Sequence, residues 1–164
     1  MIDRIGGELH WVAHGVLRPR RTASLPVRLA GLAADLAALV ERYRPDVASV
    51  EGVFVSASPR SALVLGQARG AVLTALGTAS VPLAEHAPAR IKQAVSGSGR
   101  AAKDQMQRAV RRLLALQKPP PADAADALAA AICHAQAGVL EALPRPRRRR
   151  STRGGAVLRV RRAP

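Results

Sequence analysis

The sequence predicts an α/β domain, and three observations support this prediction. Short apolar segments of the kind found in strands alternate along the chain with longer segments whose apolar residues recur at helical spacing. Of the 164 residues, 48% are hydrophobic, which is enough for one buried core. Aromatic residues account for only 2%, so that core must be built from Leu, Val and Ala.

The N-terminal region is predicted to form strands followed by a helix. Polar and apolar residues alternate from Glu8 to Val12 and again over residues 15–17, which indicates an antiparallel strand preceded by a short strand-like segment. Ser24 is expected to cap a helix whose Pro26 suits the first turn. The predicted buried stripe of this helix consists of Leu29, Leu32, Leu36, Leu39 and Val40.

Further along the chain, strands and helices continue to alternate. Residues 47–50 and 81–85 are typical of buried strands, and Glu51 stands at the carboxyl end of the first of them. Helices are predicted over 61–77, 88–95, 103–116 and about 122–137. The third of these should turn Val110, Leu113 and Leu114 inward.

The charge is strongly basic and unevenly distributed. The net charge is +15, which favours a polyanionic partner, with nucleic acid ahead of an acidic membrane surface. Nine arginines and no acidic residue follow Glu141, so residues 1–141 carry only +6. We therefore expect a domain over residues 1–140 and a basic, Arg-rich, disordered tail over 141–164 that adds phosphate contacts without sequence preference.

The single cysteine, Cys133, excludes an internal disulfide framework and is consistent with a reducing compartment. It lies in an Ala-rich apolar segment, where a buried and inert thiol is expected rather than a reactive one. No segment has the length of a membrane-spanning helix, and no signal-peptide pattern is present. A cytoplasmic protein is the prediction.

Three carboxylates are candidates for chemistry. Glu51 ends a strand, and Asp123 and Asp126 open a helix with a spacing that puts both on one face. Hard oxygen ligands of this kind select Mg²⁺ or Mn²⁺ over Zn²⁺. The alternative from spacing alone is that Asp123 is an ordinary N-cap and Asp126 an ordinary first-turn acid.

Several segments, in order, resemble the RuvC family of bacterial endonucleases that resolve Holliday junctions. The resemblance covers residues 1 to about 136, and its motifs are Val50-Glu51-Gly52-Val53-Phe54, Ser61-Ala62-Leu63, Leu65-Gly66-Gln67-Ala68-Arg69-Gly70, Ile91-Lys92-Gln93-Ala94-Val95, Ala102-Lys103-Asp104-Gln105 and Asp123-Ala124-Ala125-Asp126-Ala127-Leu128. It implies an RNase H-like fold with a mixed sheet flanked by helices, and a homodimer that makes paired symmetric nicks in four-way junction DNA during recombination and repair.

The resemblance also implies the functional residues. Glu51, Asp123 and Asp126 occupy three of the four positions that bind two Mg²⁺ ions for phosphodiester hydrolysis, and Mn²⁺ is expected to substitute. Lys92 and Lys103 match basic residues near the family's active site, where a positive charge can hold the scissile phosphate, and the alternative without the resemblance is a solvated surface lysine. Phe54 matches an aromatic that stacks on bases, and the branch-migration proteins RuvA and RuvB are implied partners.

Two residues are interpreted differently. Arg69 is expected either to touch phosphate or to cap its helix, and the sequence does not separate these roles. His134, eight residues after Asp126, is predicted to be structural rather than a ligand.

The chain departs from the family pattern at its start. The family opens with a central strand that ends in a Gly-x-Asp-Pro-Gly motif and carries the fourth acid, and this sequence has no such motif. Because the central strand is missing, we expect poor folding and little cleavage. The missing motif is explained either by a misplaced start, in which a GTG valine codon is read as the initiator Met1, or by a truncated or decayed gene. The rival functions are a non-catalytic binder of branched DNA and a generic basic nucleic-acid protein. Val55 and Ser58, where relatives carry an aromatic and an asparagine, leave the contacts to the junction strands open.

Overall fold

The computed structural model describes residues 1–20, 22–52 and 58–142, with the side chains of the last helix described as far as residue 137. Within these ranges the chain forms four strands: β1 (Ile2–Ile5), β2 (Glu8–Trp11), β3 (Ala48–Glu51) and β4 (Leu83–His86). It forms five helices: α1 (Leu25–Tyr43), α2 (Pro59–Thr78), α3 (Pro88–Ser96), α4 (Lys103–Leu113) and α5 (Ala122–Ala142). This order of elements confirms the predicted α/β class.

The four strands lie in two separate two-stranded sheets. Strands β1 and β2 are antiparallel, and the turn between them consists of Gly6 and Gly7, whose φ angles of 60° and 94° favour glycine. Strands β3 and β4 are parallel, with Glu51 beside His86 at their carboxyl ends. The expected mixed sheet is thus divided. The predicted strand character over residues 15–17 is wrong, because residues 12–20 form no helix or strand.

The main core is built by the three C-terminal helices. Helix α5 packs against α3, α4, β3, β4 and β1, so it contacts strands of both sheets. Val110 and Leu114 of the α4 segment are buried and Leu113 packs against the same core, as predicted. The buried cluster consists of Ile91, Val95, Ala101, Met106, Ala109, Val110, Leu114, Leu128, Ala129, Ala130, Ile132 and Cys133.

The N-terminal helices form a second, shallower layer in which α1 packs against α2. No residue of α1 is fully buried, and Leu39 of the predicted stripe is exposed. In α2 only Ala75 and Leu76 are buried. Ser24 occupies the N-cap position of α1, but its side chain makes no capping hydrogen bond. The stripe prediction was therefore wrong for Leu39 and too deep for the rest.

Helix ends differ from the predictions by a few residues. Gly97, with φ of 77°, ends α3 at the predicted break. Ala115, with φ of 48°, follows the end of α4, which is shorter than expected. Helix α5 extends to Ala142, so the domain boundary expected at residue 141 falls inside it, and residues 143–164 lie outside the described part. In the part of the chain that the structure describes, no helix combines the length and apolar character needed to cross a bilayer.

Candidate active site

Two acidic and two basic side chains line one cavity of about 420 Å³. The acids are Glu51 and Asp126, and the bases are Lys92 and Lys103. The remaining walls are mostly apolar and come from Pro88, Ile91, Ala101, Ala102, Met106 and Ala129. The structure therefore brings together four of the residues that the sequence predicted for the site.

The meeting of Glu51 with Asp126 follows from how β3 docks on α5. Alternate residues of a strand share a face, so Ser49 and Glu51 point the same way. The Ser49 hydroxyl donates a hydrogen bond of 2.7 Å to the carbonyl oxygen of Ala130, which shows that this face is turned toward α5. Asp126 lies one helical turn before Ala130 on the same side of α5, and it lines the cavity together with Glu51 at the end of β3.

The two lysines come from the helices on the other side of the cavity. Lys92 lies on α3 and is half-buried, whereas Lys103 is the exposed first residue of α4. The start of α4 is held by Gln105, whose side-chain oxygen accepts a 3.0 Å hydrogen bond from the Ala102 backbone N–H. Two ammonium groups opposite two carboxylates can hold a phosphate group beside acids that would otherwise repel it.

Asp123 is placed differently from Asp126. It lies exposed in the first turn of α5 and does not line the cavity. It is not the N-cap, because α5 begins at Ala122 and the Pro121 carbonyl accepts the Ala125 N–H at 2.8 Å. The N-cap alternative for this residue is therefore wrong.

The carboxylates of the cavity are the side chains suited to the expected divalent metal. Glu51 and Asp126 offer hard carboxylate oxygens, which suit Mg²⁺. However, among the side chains of residues 1–20, 22–52 and 58–137, no three of His, Cys, Asp or Glu lie together in an arrangement that could hold a metal ion. Glu51 and Asp126 are thus the two carboxylates of the cavity suited to a divalent ion, and the described side chains place no third candidate ligand beside them.

Arg69, on α2, is directed at the end of the parallel sheet. One guanidinium nitrogen donates to the backbone carbonyl of Glu51 at 3.1 Å, and the other forms a 2.8 Å ion pair with Glu85. Its side chain is 19% exposed, and it does not line the cavity. The structure therefore gives Arg69 two protein partners, one of them the main chain of a site residue.

Sequence reasoning missed Glu85 and His86. Both lie at the carboxyl end of β4, so the rule that singled out Glu51 at its strand end would have found them. His86 is buried, and its imidazole lies 3.3 Å from that of His134. Burial is the main cause that lowers the pKa of His86, and the electrostatic influence of the neighbouring His134 and Arg90 acts in the same direction. The contact agrees with the structural role predicted for His134.

Two other residues singled out in the sequence are Cys133 and Phe54. Cys133 is buried in the core, and burial raises the pKa of its thiol against the opposing effect of Arg90, which agrees with an inert thiol. Phe54, the predicted stacking residue, lies outside the described residues, as does the Arg-rich segment 143–164.

Comparison with known proteins identifies the family. The family model for "Crossover junction endodeoxyribonuclease RuvC" matches residues 1–134. RuvC of Ralstonia pickettii (strain 12J) is 49% identical over 138 residues, which cover 84% of this chain and 76% of that protein. RuvC of Azoarcus sp. (strain BH72) is 47% identical, with coverages of 84% and 75%.

The chain belongs to the RuvC family.

Solved structures agree with this membership. The chain superposes on a structure of Thermus thermophilus RuvC with a TM-score of 0.75 and 31% identity, covering 86% of both chains. It superposes on T. thermophilus RuvC in complex with a Holliday junction substrate with a TM-score of 0.79 and 30% identity, covering 85% of this chain and 86% of that one. These matches confirm the resemblance and the RNase H-like fold that it implied.

Proposed function

We propose that this RuvC-family chain is a structure-specific nuclease that resolves Holliday junctions. The observation that supports the proposal best is the shared cavity of Glu51, Asp126, Lys92 and Lys103, which combines acids for hydrolysis with cations for a phosphate. The T. thermophilus homologue in complex with a Holliday junction supports the choice of substrate. DNA recombination and repair are the processes that this activity serves.

The cavity offers a division of labour for phosphodiester hydrolysis. A carboxylate at the end of β3 or on α5 can accept a proton from the attacking water. The ammonium groups of Lys92 and Lys103 can bind the scissile phosphate and offset the negative charge that develops on it. Because Lys92 is half-buried, its attraction to a phosphate is screened less by salt than that of a fully exposed lysine.

We propose that the carboxylates of the cavity bind a divalent metal ion. Glu51 and Asp126 are proposed as ligands of Mg²⁺, with Mn²⁺ as a substitute, and Asp123 is a further candidate on the same helix. A complete two-ion centre needs further ligands beyond the two that line the cavity, so the number of ions stays a prediction of the family resemblance.

The proposed assembly is a homodimer on a four-way junction. Support comes from α2, whose exposed apolar residues Leu63, Val64 and Leu65 offer a surface for a second copy. RuvA and RuvB as partners, and a cytoplasmic location, rest on the resemblance and on the single buried cysteine.

The decisive experiment is cleavage of a synthetic four-way junction in Mg²⁺ by the wild type and by Glu51→Gln and Asp126→Asn variants. Each variant should lose cleavage by a factor on the order of 10² to 10⁴ and still bind the junction, because a carboxylate that accepts a proton or binds the metal is removed and the lysines remain. The matched control is Asp35→Asn on α1, an exposed carboxylate remote from the cavity, which should cleave like the wild type. Equal activity of Glu51→Gln and the wild type would contradict the proposal.

A non-catalytic binder of branched DNA is the second candidate. It is favoured by one observation, that the described residues bring together fewer than three metal-ligating side chains. Under this reading the wild type binds the junction but does not cleave it in Mg²⁺ or Mn²⁺, and both site variants bind as the wild type does. Cleavage that depends on Glu51 would exclude it.

A further inference from the structure

We propose that Arg69 is a positioning residue, which fixes the carboxyl end of β3 and so aims the Glu51 carboxylate into the cavity. The inference deepens the proposed function, because the role of Glu51 in hydrolysis comes from there. The contacts that carry it are independent of that function.

The first step is that Arg69 bridges two strands. Its guanidinium donates to the Glu51 carbonyl at 3.1 Å and pairs with the Glu85 carboxylate at 2.8 Å. Glu51 is the last residue of β3, and Glu85 is the penultimate residue of β4. A charged donor forms stronger hydrogen bonds than a neutral one, so this bridge ties the two strand ends together.

The second step is that the bridge lies on the face of the sheet opposite the cavity. His86 contacts His134 on α5, and Glu85, its neighbour in β4, must therefore point to the other face. Glu51 lies beside His86 in the parallel register, so its side chain is on the α5 face with the cavity. Arg69 thus holds the main chain of Glu51 from the face of the sheet opposite the cavity, while the Glu51 carboxylate points toward the cavity.

The surroundings of Arg69 favour a positioning role over phosphate binding. The side chain of Arg69 is 19% exposed, both terminal nitrogens have protein acceptors, and the residue does not line the cavity. Because Arg69 does not line the cavity, it is not placed to contact a phosphate bound between Lys92 and Lys103. Lysine cannot replace it fully, because one ammonium lacks the planar fork that spans both acceptors.

The closing experiment measures amide hydrogen exchange at Gly52, whose N–H donates to the His86 carbonyl at 2.8 Å and reports on the joined strand ends. Removing the charged bridge should speed this exchange about tenfold in Arg69→Gln and about threefold in Glu85→Gln and Arg69→Lys. The matched control is Arg60→Gln, which removes an exposed arginine from the first turn of the same helix and should leave Gly52 unchanged.

Exchange at Ile132, fully buried in α5, guards against a general loss of folding and should stay at the wild-type rate. If Arg69→Gln opens the whole molecule, Glu85→Gln and Arg69→Lys decide the question, since each keeps part of the bridge. A wild-type rate at Gly52 in these variants would overturn the proposal.

Junction binding supplies a second readout. The salt dependence of affinity should be the same for Arg69→Gln and the wild type, whereas loss of a phosphate contact would lower its slope by about one. A lower slope with unchanged exchange at Gly52 would assign Arg69 to DNA and overturn positioning. If the wild type binds no junction, the proposed function fails, and the exchange rates still decide the role of Arg69.

Discussion

Helices α1, α2 and α5 are all rich in Ala and Leu, but the helix pair α1–α2 is much less buried than the helix trio α3–α5 to which α5 belongs. In the trio, Leu128 and Ile132 are almost fully buried, whereas α2 exposes Leu63 by 64% and Leu65 by 50%. Apolar spacing thus predicts that a segment is helical, but the depth of burial depends on how many elements surround it. Helix α5 is covered by two helices and by strands of both sheets, while α1 has α2 as its main neighbour.

The difference matters for the site, because three of the four cavity residues stand on the well-packed trio. Lys92, Lys103 and Asp126 come from α3, α4 and α5, respectively. Glu51 comes instead from the two-stranded parallel sheet, which packs on α5 and is joined to the helices by hydrogen bonds of Ser49 and Arg69. Glu51 is therefore the one charged residue of the cavity that stands outside the helix trio.

The largest expected effect is on stability, from the same substitution made in the two regions. Leu128→Ala should lower the free energy of unfolding by roughly 2–5 kcal/mol, because it leaves a cavity in a close-packed core. Leu63→Ala on α2 should change the unfolding free energy of the monomer by no more than about 0.5 kcal/mol, because that side chain is 64% exposed in the single chain. Urea denaturation measures both, and equal losses would break the comparison.

A smaller effect is expected from pH, through His86. Its pKa is lowered in the fold, chiefly by burial, so below the ordinary histidine value of about 6.5 the unfolded chain takes up the proton first. The free energy of unfolding should therefore fall as the pH drops from about 6.5 to the lowered pKa of the folded state. Denaturation across this range should show a shallower fall for His86→Gln.

The control for this measurement is His10→Gln, which changes an exposed histidine on β2. It should retain the wild-type slope of unfolding free energy against pH. A slope that His86→Gln leaves unchanged would show that other groups cause the acid sensitivity.

The smallest effect on folding is expected at the exposed end of α2. Leu65→Glu should leave the unfolding free energy within about 0.5 kcal/mol of the wild type, yet weaken self-association if this surface contacts a second copy. Sedimentation equilibrium compares it with Thr78→Glu, an equal change in charge at the exposed opposite end of α2. Unaltered association of Leu65→Glu would remove α2 from the proposed dimer contact.

Local patterns in the sequence predicted most of the secondary structure. The helices over α2, α3 and α5 and the strands β3 and β4 begin or end within a few residues of their predicted bounds. These signals are short-range, since a glycine with positive φ at position 97 or a run of prolines acts on its own neighbours. The division of the strands into two sheets could not be predicted in this way, because pairing joins residues that are distant in sequence.

The site was predicted in part for the same reason. The strand-end position of Glu51 and the helical spacing of Asp126 are local, and the family motifs added Lys92 and Lys103, all four of which line the cavity. The partners of Arg69 were not foreseen, because only tertiary packing places a residue of α2 against Glu85. Asp123 shows the converse, since a spacing of three predicts a common helix face but not which of two acids reaches the cavity.

The hydrogen bond from the Ser49 hydroxyl to the Ala130 carbonyl fixes the position of β3 along α5. It joins points 81 residues apart in sequence, and Asp126 lies four residues from one end of it, as Glu51 lies two residues from the other. Because each helical residue turns the chain by about 100°, one residue inserted between Asp126 and Ala130 would carry the aspartate around to another face of an otherwise intact helix. Length changes in this lineage should therefore be tolerated at the Gly97–Gly99 turn and rejected within that single turn of α5.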